Sequence, residues 1–153
     1  TVMDALGDLE LAPFDEQARA GLDDALPVIA HRDNPVDATP MAGTQSYADS
    51  SAAILACPDV DAAILSAVPV TGALETLVAA ADGSHREDID RDEALGKQWL
   101  EIIATSDKPA VVVVDSGRPY DALCHQIEAA GVPVFRKIDR AARALAAYCR
   151  PTD

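Results

Sequence analysis

The sequence predicts an open α/β fold built on a parallel sheet. Three observations carry that expectation. The runs Asp61–Val68 and Ala110–Val114 are continuously apolar over strand length rather than alternating, the pattern of strands buried on both faces of a parallel sheet. Apolar residues recur at helical spacing before, between and after these runs, as in Leu95, Trp99, Ile102 and Ile103. Strand and helix signals alternate along the chain, so right-handed crossovers are the expected connections. No repeat, linker or low-complexity tract interrupts the pattern, and residues 1–153 read as one domain.

Taken in order, Thr1–Gly7 reads as the end of a helix stopped by Gly7, and Leu9–Ala12 as a short strand. Asp15 caps a helix running to Leu26, with Ala18, Leu22, Ala25 and Leu26 on one face, and Pro27 ends it. Val28–Ala30 is a brief strand candidate leading into the polar turn Asn34-Pro35-Val36-Asp37-Ala38-Thr39-Pro40. Its prolines push Asn34 and Thr39 away from helical angles. Gly43-Thr44 opens the next helix, with Tyr47, Ser51, Ile54 and Leu55 on one face, and Cys57-Pro58 closes it.

After the first buried strand, Thr71 is expected to cap a helix over Gly72–Ala81, with Leu74, Leu77 and Val78 inward. A charged loop follows at Asp82–Asp88, then a helix from about Asp90 to Ser106. Beyond the second buried strand, Pro119 sits in the first turn of a helix, where its missing N–H costs nothing. Leu123, Cys124, Ile127 and Ala130 form that helix's inner face, and Gly131 stops it. Val132–Phe135 is the last strand. Asp139 is expected to cap a final helix with Ala142, Leu145 and Cys149 inward.

Composition excludes several function classes. A formal charge of −14 repels phosphate backbones and anionic lipid surfaces, so neither nucleic acid nor membrane is an expected partner. It leaves room for a nucleotide-like ligand held locally at helix N-termini. Aromatics make up 4% of the chain, too few for a base-stacking surface. The longest uncharged run, Ala62–Leu74, is interrupted by Pro69 and Gly72 and falls short of the ~18 apolar residues that span a bilayer. No basic segment followed by an apolar one opens the sequence, and the expected location is the cytoplasm. Cys57, Cys124 and Cys149 are odd in number and contain no CxxC pair, the pattern of reduced core thiols.

Ligands of open parallel sheets bind beyond the carboxyl ends of the strands. The Asn34–Pro40 turn, the stretch Val68-Pro69-Val70-Thr71-Gly72 and the stretch Asp115–Pro119 are expected to share that edge. Thr71-Gly72 and Ser116-Gly117 each join a hydroxyl to a glycine at a helix start, where free amides and the helix dipole favour an anion. Capping alone explains the same residues. Walker A and GxGxxG motifs are absent. No Asp ends the strand Ala63–Val68, as a response regulator requires, and the hydroxyl-rich loop and stacking aromatics of a flavin site are missing.

His31, His85 and His125 have no partner at metal-ligand spacing. His125 and its helical neighbour Cys124 point about 100° apart and form no dyad. His85 lies in the charged loop and reads as a solvated side chain. The chain is therefore assigned no catalytic residue and no metal site.

Four stretches together resemble a family. Asn34-Pro35-Val36-Asp37, Cys57-Pro58-Asp59-Val60-Asp61-Ala62-Ala63-Ile64-Leu65, Asp107-Lys108-Pro109-Ala110-Val111-Val112-Val113-Val114 and Ala130-Gly131-Val132-Pro133-Val134-Phe135 are similar, in order and spacing, to NDP-forming acyl-CoA synthetases such as ADP-forming acetate–CoA ligase, relatives of succinyl-CoA synthetase. The resemblance implies a three-layer α/β/α flavodoxin-like fold, the second of the family's two ligase domains. It also implies a larger multidomain protein, of which residues 1–153 are a C-terminal piece. The family's first strand and glycine-rich loop would precede Thr1, which is then expected to be a cleavage or processing boundary.

The implied reaction is acyl-CoA + ADP or GDP + phosphate ⇌ acid + CoA + ATP or GTP, through a phosphohistidine carried on another domain. The implied partners are a CoA-binding Rossmann domain, the phosphohistidine-bearing domain and an ATP-grasp subunit or domain, with self-association also open. CoA, ATP or ADP and Mg2+ serve the whole enzyme, and none is bound by this domain alone. By resemblance the domain lends helix N-termini to the phosphohistidine. The candidate contacts are Thr71 and Gly72 first, then Thr39, Asp37 and Asn34, with Ser116 and Gly117. The family's glycine pair after this strand is represented here by Gly72 alone. The alternatives are a scaffold or regulatory module that kept the fold without the chemistry, and a small-molecule-binding α/β domain whose likeness is fold-deep.

Overall fold

The computed structural model describes residues 2–69 and 73–150. In chain order it contains α1 (Val2–Ala5), α2 (Glu16–Ala25), α3 (Thr44–Ala56), β1 (Ala63–Ala67), α4 (Leu95–Ala104), β2 (Ala110–Val114), a 3-10 turn (Arg118–Tyr120), α5 (Asp121–Ala129), β3 (Val134–Phe135) and α6 (Ile138–Tyr148). The three strands form one parallel sheet in the order β1-β2-β3. The register sets Ala63 beside Ala110 and Ala67 beside Val114, with Val112 beside Val134.

The arrangement is three-layered and flavodoxin-like. Residues 111–114 of the central strand β2 are all buried, as a strand covered on both faces must be. On one face Ala63, Leu65, Ala67, Val112 and Val114 pack with Leu55 of α3, Leu95 and Trp99 of α4, and Leu123, Cys124 and Ile127 of α5. On the other, Val111 and Val113 meet Ala141 and Leu145 of α6, and α1 joins through Ala5, Leu6 and Ala142.

Trp99 is buried core. Its Nε1 donates to Ser51 Oγ at 3.0 Å, and Ser51 Oγ donates to the Tyr47 carbonyl at 2.7 Å. The indole thus brings its one polar atom inside with a partner. Gly96 lets α4 and α5 approach closely, since a Cβ there would lie 2.7 Å from both Gln126 Oε1 and Leu123 Cδ1.

Helix α2 packs antiparallel on α3: Cys57 Sγ, just past the end of α3, lies 3.9 Å from the Pro13 carbonyl, and further along α2 a Cβ on Gly21 would lie 2.8 Å from that of Ala53. Asp15 caps α2 as expected, its carboxylate accepting from the Ala18 amide at 2.7 Å. Gly7 and Gly131 stop their helices at φ of 60° and 88°, angles that glycine adopts freely.

Several expectations fail, each for a local reason. Leu9–Ala12 and Val28–Ala30 are not strands. Val28-Ile29 forms an exposed turn held by Arg32, which donates to the carbonyls of Leu26, Pro27, Val28 and Ala30. Asp139 lies inside the first turn of α6 and pairs with Arg143 at 3.0 Å, while Lys137 holds the cap position. The largest failure is the helix expected over Gly72–Ala81.

Residues 73–81 contain no helix, and none begins before Leu95. Leu74 and Thr76 are buried, Glu75 and Leu77 less so, a period of two rather than 3.6. The backbone bonds at long range instead. The Glu75 amide donates to Thr44 Oγ1 at 2.9 Å, and the Thr76 amide and Oγ1 donate to Glu87 Oε2 at 2.9 and 3.1 Å. The Leu77 and Glu75 carbonyls accept from Ile89 and Leu95. Tertiary partners satisfy every one of these groups, so local helical preference loses.

Candidate functional site at the carboxyl edge of the sheet

Because the strands are parallel, their carboxyl ends share one edge. There the chain continues into the segment after Ala67, the loop Asp115–Gly117 and the pair Arg136-Lys137. Helices α3, α4, α5 and α6 each begin at this edge, since α3 and α4 lead into the amino ends of strands, and α5 and α6 follow carboxyl ends. The cap residues Gly43, Ala94, Tyr120 and Lys137 make no side-chain cap hydrogen bond. These four helix starts therefore lack the oxygen acceptor that Asp15 gives α2.

The four are not equivalent. Asp121 and Asp139 stand in the first turns of α5 and α6, whereas α3 and α4 have no acidic residue there. The positive end of the dipole thus meets no first-turn carboxylate at α3 or α4, although at α4 the Leu95 amide donates to the Glu75 carbonyl at 3.1 Å. At α3, Thr44 Oγ1 accepts from Glu75, which leaves its hydroxyl proton to donate. The carbonyl of Ala73 lies 3.6 Å from where a Gly43 side chain would begin, so the segment after β1 passes directly by this helix start.

The sequence candidates fare differently. Thr71 and Gly72 lie outside the described residues. The structure gives no helix over 73–81 for them to open.

The 34–40 turn is at α3's start and is internally tied. His31 and Asp37 exchange backbone hydrogen bonds at 2.9 and 3.0 Å. Asp37 Oδ1 accepts from the Thr39 amide at 2.9 Å, and Thr39, at φ 68°, accepts from Met41 on its hydroxyl at 3.4 Å. The Asn34–Pro35 bond is cis. Asn34 Nδ2 donates to the Ala12 carbonyl at 3.1 Å, so this side chain ties the turn to the α2 layer rather than facing a ligand. Asp37 also acts on Tyr47, whose phenol pKa is raised by burial first and by that carboxylate second.

Ser116 and Gly117 begin the β2 loop, where their carbonyls accept from Arg136 Nη1 at 2.8 and 3.5 Å. Arg136 also pairs with Asp121, and Lys137 Nζ meets Asp115 Oδ1 at 2.8 Å. Arg136 and Lys137 are functional candidates that sequence reasoning missed. The available signal was two adjacent cations directly after a strand in an acidic chain. Thr44 was read only as a helix opener.

The remaining chemistry-bearing residues have structural surroundings. Cys57 and Cys124 are buried, and burial raises the Cys124 thiol pKa, which keeps it protonated and unreactive. Cys149 is exposed and lies just past α6 rather than inward. Among the described residues no group of three or more His, Cys, Asp or Glu could hold a metal ion, and no helix is long and apolar enough to cross a membrane.

No protein-family model and no curated protein matches the sequence. Solved structures do. The protein PH0766 from Pyrococcus horikoshii superposes with a TM-score of 0.75 over 95% of this chain at 22% identity. A dinucleotide-forming acetyl-coenzyme A synthetase 1 from Ca. Korarchaeum cryptofilum superposes with a TM-score of 0.71 over 95% of this chain, also at 22% identity, in its apo form and in complex with phosphate and ADP. The chain covers 31% of the first protein and 29% of the second. The likeness is one of fold, and this chain corresponds to about a third of each neighbour's length.

Proposed function

We propose that this chain is the second flavodoxin-like ligase domain of an NDP-forming acyl-CoA synthetase. The observation that carries the reading is the superposition of 95% of the chain on part of an acetyl-coenzyme A synthetase. The four sequence stretches that resemble the same family form the turn before α3, the lead into β1, and strands β2 and β3. The reaction, acyl-CoA + ADP or GDP + phosphate ⇌ acid + CoA + ATP or GTP, proceeds through a phosphohistidine on another domain. Here the domain's task is electrostatic: fixed amides and helix dipoles stabilise a phosphoryl group without reorganising.

The carboxyl edge supports that task with four helix starts that have no side-chain cap. The start of α3 is the best seat, where Gly43 and Thr44 stand beside the Asp37–Thr39 turn. Ser116 and Gly117 are secondary, because Asp115, Asp121 and Arg136 already occupy their surroundings. Thr71 and Gly72 remain candidates, with no helix over 73–81 for them to cap. CoA, nucleotide and Mg2+ belong to the other domains in this reading: a Rossmann domain, the histidine-bearing domain and an ATP-grasp unit, working in the cytoplasm.

One observation favours a second reading. Without a helix over 73–81, the chain lacks the seat that the family resemblance ranked first, as expected of a regulatory or scaffold module that kept only the fold. Incubating the full-length protein with γ-labelled ATP separates the two. Acid-labile, base-stable phosphohistidine is expected for the enzyme. Folded protein that acquires no such label favours the scaffold.

A further inference from the structure

The sheet has two edges, and they are built differently. β3 is two residues long and runs straight into Arg136-Lys137. Shortness and charge are the ordinary protection of an edge strand. β1 is five residues long and contains neither charge nor proline. The Ala63 amide donates to the Pro109 carbonyl at 3.0 Å, and the Ala67 carbonyl accepts from the Asp115 amide at 3.2 Å. Ala63, Leu65 and Ala67 therefore turn their backbone groups toward β2. Backbone direction alternates along a strand, so Ile64 and Ser66 turn theirs outward. Both residues are half-buried, and among the described residues neither has a backbone partner on that side. Native proteins seldom leave such groups unpaired away from water.

We infer that β1 is an inner strand of the complete protein, and that the segment leading into α1 pairs with it in parallel. Direction identifies the occupant. Ala5 and Leu6 pack on Ala142, and a Cβ on Gly7 would lie 4.0 Å from that of Ala146. Helix α1 thus runs in the same sense as α6, away from the carboxyl edge. The chain enters α1 from that edge, close to Ile64, which packs with Ala5 and Leu6. A strand that ends there beside β1 runs parallel to it.

Burial sets the composition of this strand. One face of β1 packs with Leu55 of α3, and the other meets α1 and Leu9. A strand between the same layers is apolar, about five residues long and free of proline. A second copy is the poorer occupant, since a net charge of −14 repels its like. The strand's exit brings chain from outside residues 1–153 to the edge where α3 begins, so the candidate site is incomplete without it. This pairing is independent of the reaction proposed above, and labelling of a histidine has no bearing on it.

The full-length protein tests the pairing in two ways. Amide exchange at single-residue resolution should be slowed at Ile64 and Ser66 as much as at Leu65, on the order of a thousandfold or more. Free exchange at these two amides overturns the pairing. The second measurement uses Ser66→Cys in a Cys149→Ser background. One further cysteine is placed in turn at each of about ten residues upstream of Thr1, and a reagent that bridges thiols about 5 Å apart is added. Bridging within one molecule, at alternate positions, is expected. Bridging only between two molecules, or at no position, overturns the pairing even where the amides are protected, as does a mature protein that begins at Thr1.

Discussion

After β2 the chain forms a 3-10 turn at once and enters α5, whereas after β1 the described residues form no helix until Leu95. Both segments leave parallel strands at the same edge, and both join a hydroxyl to a glycine in sequence. The difference lies in what satisfies the backbone. Beyond β2, Pro119 presets the first turn and Leu123 and Ile127 bury a helical stripe. Beyond β1, Thr44 and Glu87 take the amides of Glu75 and Thr76, and Ile89 and Leu95 take the carbonyls of Leu77 and Glu75. A similar hydroxyl–glycine pair in sequence thus precedes a packed helix in one place and a tertiary-held strap in the other.

That contrast is open to attack from either side. Leu123→Ala should have the largest effect, because Leu123 is fully buried beneath the sheet. A loss of about 2–5 kcal/mol is expected, read as a lower urea midpoint.

Glu87→Ala should cost less, about 1–3 kcal/mol, by stripping two donors of Thr76 of their acceptor. Hydrogen exchange should quicken at residues 74–77 and 89 while α5 keeps its protection. Equal quickening in α5 would mean that the two segments are one cooperative unit. Lys137→Ala opens an exposed ion pair with Asp115 and should change stability by about 0–1 kcal/mol.

The smallest effect concerns pH. Asp82, fully exposed, has its pKa lowered chiefly by the Ser84 amide. A carboxyl with a depressed folded pKa contributes above its unfolded value of about 3.9, and the contribution fades as pH falls through the folded value. An NMR titration of the Asp82 carboxyl carbon should have its midpoint below 3.9, by the same linkage. A midpoint at or above it would remove the turn bond.

The parts of the fold that sequence revealed were those governed by burial or a local bond. Val111–Val114 announced a central strand because both its faces are covered, and Asp15 announced α2 because a cap acts within one turn. The parts it hid depend on distant partners. Val28-Ile29 has the apolar content of a strand, but a turn bond from the Ala30 amide to the Pro27 carbonyl and the reach of Arg32 over the same carbonyls make it a turn. Leu74, Leu77 and Val78 fit a helix, and the distant partners Thr44, Glu87, Ile89 and Leu95 draw the backbone out.

The candidate site was legible as an edge, not as a list of residues. The turn at 34–40 and the loop at Ser116-Gly117 do lie at helix starts there. Asn34 proved to be a tie to Ala12, however, and the Arg136-Lys137 pair gains meaning only once β3 places it beside Asp115 and Asp121.

The proposed function is tested most directly by following free CoA thiol released from a panel of acyl-CoA thioesters by the full-length protein. Release that requires both a nucleoside diphosphate and phosphate, with nucleoside triphosphate formed in equal amount, is the predicted result. A folded protein that releases no CoA from any thioester, or releases it without phosphate and nucleotide, would contradict it.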